Sequence, residues 1–256
     1  MTLKSLIEKK WFYIVLFGAQ LILLPITSKN FEFSEIGNIL GKIFSNSIMG
    51  SLKPYYPYFQ IPSLLILIAL VVLKNKVKTL FTIYVIISYV LFSFLQNIAI
   101  TKEYGLSIAS LNVVLFLFVA YAWLYELLNL KNDYSFNNLN WKTGWLIPIS
   151  ILCFWWPLNW NTLEFTTDIT LFLTCGSSLA FCAMTPVFLS IMTLSIPNVN
   201  ITTYRITALV GFIIGCYNMI NFVNPKTTNI AILHLPLLII SIYTLSIGYK
   251  KEYDKL

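Results

Sequence analysis

Residues 63–90 read SLLILIALVVLKNKVKTLFTIYVIISYV. Two apolar runs, each suited to a helix, flank a tight turn that holds Lys74, Lys76 and Lys78. A helix that crosses a membrane needs about 20 mostly apolar residues, and shorter ones occur. Because turns rich in lysine are hard to translocate, this turn is expected on the cytoplasmic side. The stretch therefore predicts two membrane helices that are joined at the cytoplasmic face.

The composition of the whole chain also favours a membrane protein. Of the 256 residues, 58% are hydrophobic and 11% are charged, whereas soluble domains carry about 25% charged residues. The net charge of +7 would suggest a nucleic-acid partner in a soluble protein. Here the basic residues stand in short gaps between apolar runs, where the positive-inside rule explains them. We predict the lipid bilayer as a partner and no nucleic acid.

The apolar segments predict an all-α, polytopic bundle of about eight transmembrane helices. We expect it to be one domain over residues 1–256, in the inner (cytoplasmic) membrane of the cell. The predicted spans are 11–28, 59–73, 79–100, 106–128, 145–160, 169–196, 203–223 and 229–249. The sequence leaves open whether the short segments 59–73 and 145–160 cross completely. Pro186 predicts a kink in the long segment 169–196, because proline removes a backbone donor.

The basic residues predict the orientation. With a cytoplasmic N-terminus, twelve of the 17 Lys and Arg residues fall in inside segments, and five fall outside: Lys29, Lys42, Lys53, Lys102 and Lys226. Both termini are therefore predicted to be cytoplasmic. A cleaved signal peptide over residues 1–28 is the competing interpretation, although the stretch 24–28, LPITS, lacks a small-x-small cleavage pattern.

Two longer loops are expected to carry structure of their own. The outer one has apolar residues at 36, 39, 40, 43, 44 and 48, a helical spacing that predicts an amphipathic helix with Ser34 as N-cap. This helix would lie in the outer interface or dip into the bundle as a lid. The inner loop, 129–144, separates possible halves of four helices each, 1–128 and 145–256. This division is a hydropathy pattern, without residue similarity between the halves.

Uncharged polar residues are expected at one common depth. At 1.5 Å per residue they lie within about 10 Å of the outer boundary: Gln96, Asn97, Asn112, Asn218, Asn221 and His234. Unpaired amides are costly in hydrocarbon, so these groups should face each other or water. One interpretation is an outward-open polar vestibule that binds a ligand under the 34–50 helix. The other is a set of hydrogen bonds that holds the bundle together.

Charged and small residues suggest two helix contacts. Glu126 and Arg205 are both expected at the cytoplasmic interface, where they form an ion pair or are solvated independently. Gly176, Gly211 and Gly215 belong to small-residue faces that let helix backbones approach closely. They predict a tight pair of the sixth and seventh helices, or a dimer interface.

The function is predicted only by class. No phosphate-binding loop, dinucleotide-binding turn, zinc-protease helix or nucleophile elbow occurs in the sequence, and we predict no catalytic residues, cofactor or metal. The first hypothesis is a transporter or permease component for a small solute. The second is a non-catalytic subunit or scaffold with a membrane-protein partner or a second copy, of the anchor or immunity type. The third is a lipid-modifying membrane enzyme, which would need ionisable groups gathered on one face.

Overall fold

The computed structural model describes Leu3, Ser5 and residues 9–250. Helix accounts for 70% and strand for 6%, so the all-α class is confirmed. The described helices of ten residues or more are α1 (Lys10–Ile22), α2 (Ile36–Ser45), α3 (Tyr56–Leu73), α4 (Lys78–Leu95), α5 (Ser110–Asn129), α6 (Leu146–Trp155), α7 (Phe181–Leu194), α8 (Ile201–Asn218) and α9 (Thr228–Gly248). The predictions for the two chain ends concern residues 1–2, 4, 6–8 and 251–256, which lie outside the described part.

Several helices are long and apolar enough to cross a membrane. Four stretches meet this description: Lys53–Leu95, Ser110–Asn129, Ile201–Phe222 and Pro225–Gly248. A fifth results if Leu171–Leu179 and Phe181–Leu194 are taken as one bent span. Exposed apolar side chains cover the outside of α3, where Leu65 and Val72 are 60% and 69% exposed. Such a surface is compatible with lipid and is unusual in a soluble monomer.

The 43-residue stretch Lys53–Leu95 is a helical hairpin. Gln60 near its start accepts a hydrogen bond from the Ser178 amide at 3.0 Å, and Gln96 at its end accepts one from the Phe181 amide at 2.8 Å. In a straight helix the two glutamines would be about 54 Å apart at 1.5 Å per residue. They meet the same short segment because the chain reverses at Lys74–Val77, the lysine turn that the sequence identifies.

The contacts between chain segments define two ends of the bundle. At one end, which we call the loop end, the turn after α3, residues 129–145 and the α7–α8 connection meet. Asn75 bonds Asp133 there, and Asn138 bonds the Thr193 carbonyl. The opposite end, the cap end, carries α2 and the strands. Helices α1 and α3–α9 run alternately between these ends.

The cap end contains strands where the sequence predicts helix. β1 (Ile26–Thr27), β2 (Ile98–Thr101) and β3 (Gly105–Ile108) form an antiparallel sheet in the order β1-β3-β2. The predicted spans 79–100 and 106–128 are therefore too long, and α1 also ends at Ile22, earlier than predicted. Hydropathy alone cannot separate short apolar strands from helix ends. A second pair, β4 (Leu158–Asn159) with β5 (Glu164–Phe165), follows α6.

The amphipathic helix is present as α2. Its buried residues Ile39 and Ile43 pack against Ala99, Tyr104 and Ala109. The helix therefore covers the sheet. The predicted N-cap is wrong, because Ser34 lies within a 3-10 turn, Phe33–Glu35, that precedes α2.

Helix α7 is the centre of the bundle. All of its residues except Cys182 and Ile191 are buried. Phe181 packs edge-on against Tyr89 and Phe92 of α4. Phe188 packs edge-on against Phe81 of α4 and Trp123 of α5 and is tilted against Tyr89. The 89° change of direction in this part of the chain lies before Phe181, ahead of Pro186, which stands inside the helix. A helix buried on nearly all sides is held by packing, which keeps Pro186 within a continuous helix.

The glycine face of α8 packs against α9. A Cβ atom at Gly211 would lie 2.5 Å from Ser241 Oγ, and one at Gly215 would lie 3.0 Å from the Leu238 backbone. Gly211 also lies near the sixth predicted span, since a Cβ there would be 3.4 Å from Thr185 of α7, but both glycines come closest to α9, the eighth predicted span. For the same reason this face is not open to a second copy.

We expect Gly211→Ala to lower the free energy of unfolding by about 1–3 kcal/mol, the usual cost of overpacking. Adding Ser241→Ala removes the clashing Oγ and should restore most of the loss. Gly41→Ala is the matched control, because a Cβ there meets open space. Thermal unfolding of the purified variants measures this, and an unrescued double variant would contradict the assigned contact.

Candidate functional site at the helix break

The chain between α6 and α7 returns into the bundle without regular helix. Trp156 ends α6 in a left-handed conformation with φ 48°, and the strands β4 and β5 follow. A short helix, Leu171–Thr174, and a 3-10 turn, Ser177–Leu179, then lead to α7. Residues 177–179 are at most 3% exposed. Irregular backbone at this depth needs polar partners, because its amides and carbonyls are not paired within a helix.

Gly176 shapes the break. Its φ of 73° is left-handed, and a Cβ atom would lie 2.5 Å from the ring of Tyr56. Both facts favour glycine, which has no Cβ to clash with the backbone or with the ring. The sequence places Gly176 on a helix-packing face; in the structure it is a turn residue against the first residue of α3.

Gln60 is the hub of the break. Its side chain is 0% exposed. The Nε2 group donates to Ser177 Oγ at 2.7 Å and to the Phe154 carbonyl at 3.3 Å, and Oε1 accepts from the Ser178 amide at 3.0 Å. Ser177 Oγ also donates to the Phe154 carbonyl at 2.5 Å. One amide from α3 thus satisfies the end of α6 and the turn before α7.

A second glutamine holds the start of α7. Gln96 Oε1 accepts from the Phe181 amide at 2.8 Å. The ring of Phe181 stacks on Phe116 of α5 with centroids 4.0 Å apart. The first amide groups of a helix lack partners within the helix and carry partial positive charge. Gln96 neutralises one of them and fixes where α7 begins.

One polar atom at the break has no partner in the described part of the chain. Ser178 is 3% exposed, and its Oγ makes no hydrogen bond there. Buried polar groups are nearly always paired, with protein or with water. Together with Gln60, Gln96 and Ser177, this hydroxyl forms an uncharged site of donors and acceptors. We name these four residues the break site; its chemistry suits a neutral polar ligand.

The structure separates the six residues of the predicted polar tier. Gln96 belongs to the break site. Asn97 is 1% exposed and donates to the carbonyls of Phe92 and Ser93, which end its own helix. Asn112 lies half-buried in the first turn of α5. In the described residues, no two of the six side chains hydrogen-bond each other.

The other three residues of the tier lie at the end of α8, in the 3-10 turn Met219–Phe222 that follows it, and on α9. Asn218 donates to the Ile214 carbonyl at 2.9 Å, and Asn221 donates to the Asn218 carbonyl at 3.0 Å. His234 is 8% exposed, bonds the Ile230 carbonyl through Nδ1 and packs edge-on against Trp156. Each amide or ring thus serves a nearby backbone group. Ligand binding by the tier as a whole remains a prediction.

Among the described residues, no ion pair joins Glu126 to Arg205. Glu126 accepts a hydrogen bond from the Asn132 amide at 2.8 Å. Arg205 donates to the Gly248 carbonyl at 2.7 Å and lies over the Tyr249 ring, 4.7 Å from its centroid. The two charges belong to different networks because α9 ends beside Arg205, which the sequence does not reveal.

Sequence reasoning missed Gln60 and the role of Ser177 and Ser178. The signal for Gln60 was a single amide inside an otherwise apolar run, close to the start of a short predicted span. The two serines directly follow Gly176, which the sequence places on a small-residue packing face. Only the bend before α7 brings the three side chains together, and no local pattern marks that bend.

We expect Ser177→Ala to lower the free energy of unfolding by about 1–3 kcal/mol, because it leaves the Gln60 amide and the Phe154 carbonyl short of partners. Ser178→Ala should leave stability unchanged or slightly higher, because it removes a hydroxyl without a partner. Thermal unfolding of the two variants, which carry the same chemical change at adjacent positions, measures the difference. Equal effects would contradict the assigned hydrogen bonds.

The comparisons with known proteins add no relative. No family model, curated protein or solved structure matches this chain. The candidate site therefore rests on the positions and contacts of its residues.

Proposed function

We propose that the chain crosses the inner cell membrane eight times as one domain, with both termini in the cytoplasm. The alternating direction of α1 and α3–α9 supports this topology. The basic residues at the two ends also support it. Of the described basic residues, the loop end holds nine, Lys9, Lys10, Lys74, Lys76, Lys78, Lys131, Lys142, Arg205 and Lys250, and the cap end holds five, Lys29, Lys42, Lys53, Lys102 and Lys226. Lysines of short loops favour the cytoplasm, and the loop end has three in one turn.

We infer that the protein is a transporter or permease component for a small, neutral polar solute. The observation that carries this inference is the broken helix before α7, whose break is buried and lined by polar side chains. In many transporters the substrate site is formed where membrane helices are interrupted, by half-helix ends and unwound backbone. Non-helical backbone at membrane depth is tolerated where it is enclosed by protein or lines a cavity.

Polar groups continue from the break site into the bundle. Tyr89 and Thr185 share a hydrogen bond of 3.1 Å between α4 and α7. Deeper in α7, Thr193 and Tyr204 share one of 2.8 Å. Ser241 Oγ, on α9, is 0% exposed and has no partner in the described chain. Polar groups therefore occur at successive depths between the cap end and the loop end, which supports passage of a polar solute.

The absence of charge at the break site sets the expected class of solute. Gln60, Gln96, Ser177 and Ser178 offer amide and hydroxyl groups only. A charged solute would lose its hydration without gaining a counter-charge there, which is costly in a buried site. Hydroxyl, carbonyl or amide groups on the solute would match the site.

We expect native mass spectrometry of the gently extracted protein to show a reproducible bound small molecule. The Ser178→Ala variant should lose this mass, because Ser178 offers the free hydroxyl, while its stability stays unchanged. Asn112→Ala tests the predicted tier in the same way.

The control for this experiment is Ser51→Ala, a serine at the cap end outside the break site, which should keep the bound mass. A defined additional protein, or a second copy, without any small molecule would contradict transport. That outcome would support the alternative of a non-catalytic subunit with a membrane-protein partner or homo-oligomer.

A further inference from the structure

A buried carboxylate lies near the loop end of the bundle. Glu126, one turn before the end of α5, is 1% exposed. Removing a carboxylate from water is expensive unless charges or hydrogen bonds compensate. Ionisable residues buried in membrane helices are rare and usually have a functional role. In the described chain the carboxylate accepts one hydrogen bond, from the backbone amide of Asn132 at 2.8 Å, so the loss of its hydration is only partly compensated.

Glu126 is the first member of a chain of hydrogen bonds that joins segments at the loop end. Asn132, which it holds, accepts from the Asn200 amide through Oδ1 at 2.6 Å and donates to Tyr134 Oη at 3.1 Å. Asn200 Oδ1 in turn accepts from the Thr203 amide at 3.3 Å and caps α8. We call Glu126, Asn132, Tyr134 and Asn200 the latch. It joins α5, the 129–144 loop and the α7–α8 connection.

Two atoms of the latch lack partners and complement each other. Glu126 Oε2 is a buried acceptor and Asn200 Nδ2 is a buried donor, and neither completes a hydrogen bond in the described structure. The side-chain amide of Asn200 lies beside the Glu126 carboxylate. A metal ion does not suit this position, because the amide N–H group would face it. A water molecule or a proton on the carboxylate does suit it.

Among the described residues, few charged or titratable groups face Glu126. Lys78, at the start of α4, and Lys131, in the loop, act on it through space. Lys78 donates to the Leu130 carbonyl at 3.3 Å and so does not contact the carboxylate directly. Tyr134 is buried, and burial raises the pKa of its phenol, which keeps it neutral. The α7–α8 connection presents Asn200, which carries no charge.

We propose that Glu126 is a proton-binding site that controls the latch. The proton comes from cytoplasmic water and binds Oε2, which converts the carboxylate to the neutral acid. The hydrogen bond from the Asn132 amide then loses its charge assistance, and charge-assisted bonds are roughly twice as strong as neutral ones. Asn132 and, through it, Asn200 are held less firmly. Protonation therefore loosens the connection between the 129–144 loop and the start of α8.

The role of this site in transport rests on the proposed function. Helix α7 begins at the break site and ends at Leu194, whose carbonyl accepts from the Asn138 amide at 2.9 Å. Asn138 belongs to the same loop as Asn132. A proton on Glu126 would thus free the inner end of the helix whose outer end borders the solute site. This couples solute movement to protons.

The first experiment needs no knowledge of the solute. Infrared titration of the purified protein should show one carboxyl band, distinct from those of exposed carboxylates, that appears as the pH falls and is missing in Glu126→Gln. The protection factors of the amides of residues 130–138, which correct the exchange rates for the intrinsic effect of pH, should fall about tenfold or more as the pH falls, as expected for a lost charge-assisted bond. In Glu126→Gln the protection factors should be low at every pH.

Two controls separate Glu126 from other carboxylates. Glu164→Gln changes an exposed carboxylate at the cap end and should keep the band and the exchange profile. Asp133→Asn removes the other carboxylate of the loop, whose pKa is lowered by hydrogen bonds from Asn75 and Ser135; the Glu126 band should persist. Wild-type protein whose loop protection factors are independent of pH would overturn the proposal even if Glu126→Gln fails to fold.

The second experiment tests coupling separately. Proteoliposomes loaded with a pH-sensitive dye receive a deproteinised small-molecule extract of the host cells. We expect an internal pH change with wild type and with Glu164→Gln, and its loss with Ser178→Ala and Glu126→Gln. A pH change retained in Glu126→Gln but lost in Ser178→Ala would overturn coupling and leave transport standing. The infrared band of Glu126 without any pH change in wild type would also overturn coupling and leave the proton site, and loss of the bound mass in native mass spectrometry would remove the proposed function.

Discussion

The structure depends on one constraint, which is that buried backbone groups outside regular helix must find hydrogen-bond partners. At the break before α7 the side chain of Gln60 meets this need by bonding Ser177 Oγ, the Ser178 amide and the Phe154 carbonyl. Without these bonds the turn would bury unpaired amides, at a cost of about 1–3 kcal/mol each. The side-chain amide of Gln60 thereby links α3 to the end of α6 and to the turn before α7.

The same solution is used at the opposite end of the bundle. Side-chain amides of asparagine hold the 129–144 loop to its neighbours, with Asn132, Asn138 and Asn75 each bonding backbone groups. Uncharged amides suit this task because each offers both a donor and an acceptor without the desolvation cost of a charge. The two ends differ in one respect: the loop end contains the buried carboxylate Glu126, whereas the break site is uncharged.

The sequence predicts the parts of this fold that follow from hydropathy. It does not predict the parts whose positions depend on hydrogen bonds from side-chain amides. The hairpin around Lys74–Val77 and the helical face of α2 follow from residue pattern, since lipid and core both select apolar residues at helical spacing. The strands at Ile98–Thr101 and Gly105–Ile108 are not predicted, because their apolar residues continue the apolar runs of the preceding and following helices without interruption. The role of Gln60 is not predicted for another reason. Its partners, Ser177 and Ser178, are more than 115 residues away, and only the bend before α7 gives it a role.

Helix α7 is the physical link between the proposed solute site and the proposed proton site. Its first amide is held by Gln96 and its last carbonyl by the backbone of Asn138, while packed aromatic rings surround the middle. A helix packed at interior density moves as a body, because the surrounding side chains do not deform continuously. A shift at either end is therefore felt at the other, about 21 Å away along a helix of 14 residues. Coupling requires only that the contacts at the two ends of α7 favour different positions of the helix. A proton that weakens the contacts at the loop end changes the balance between those positions.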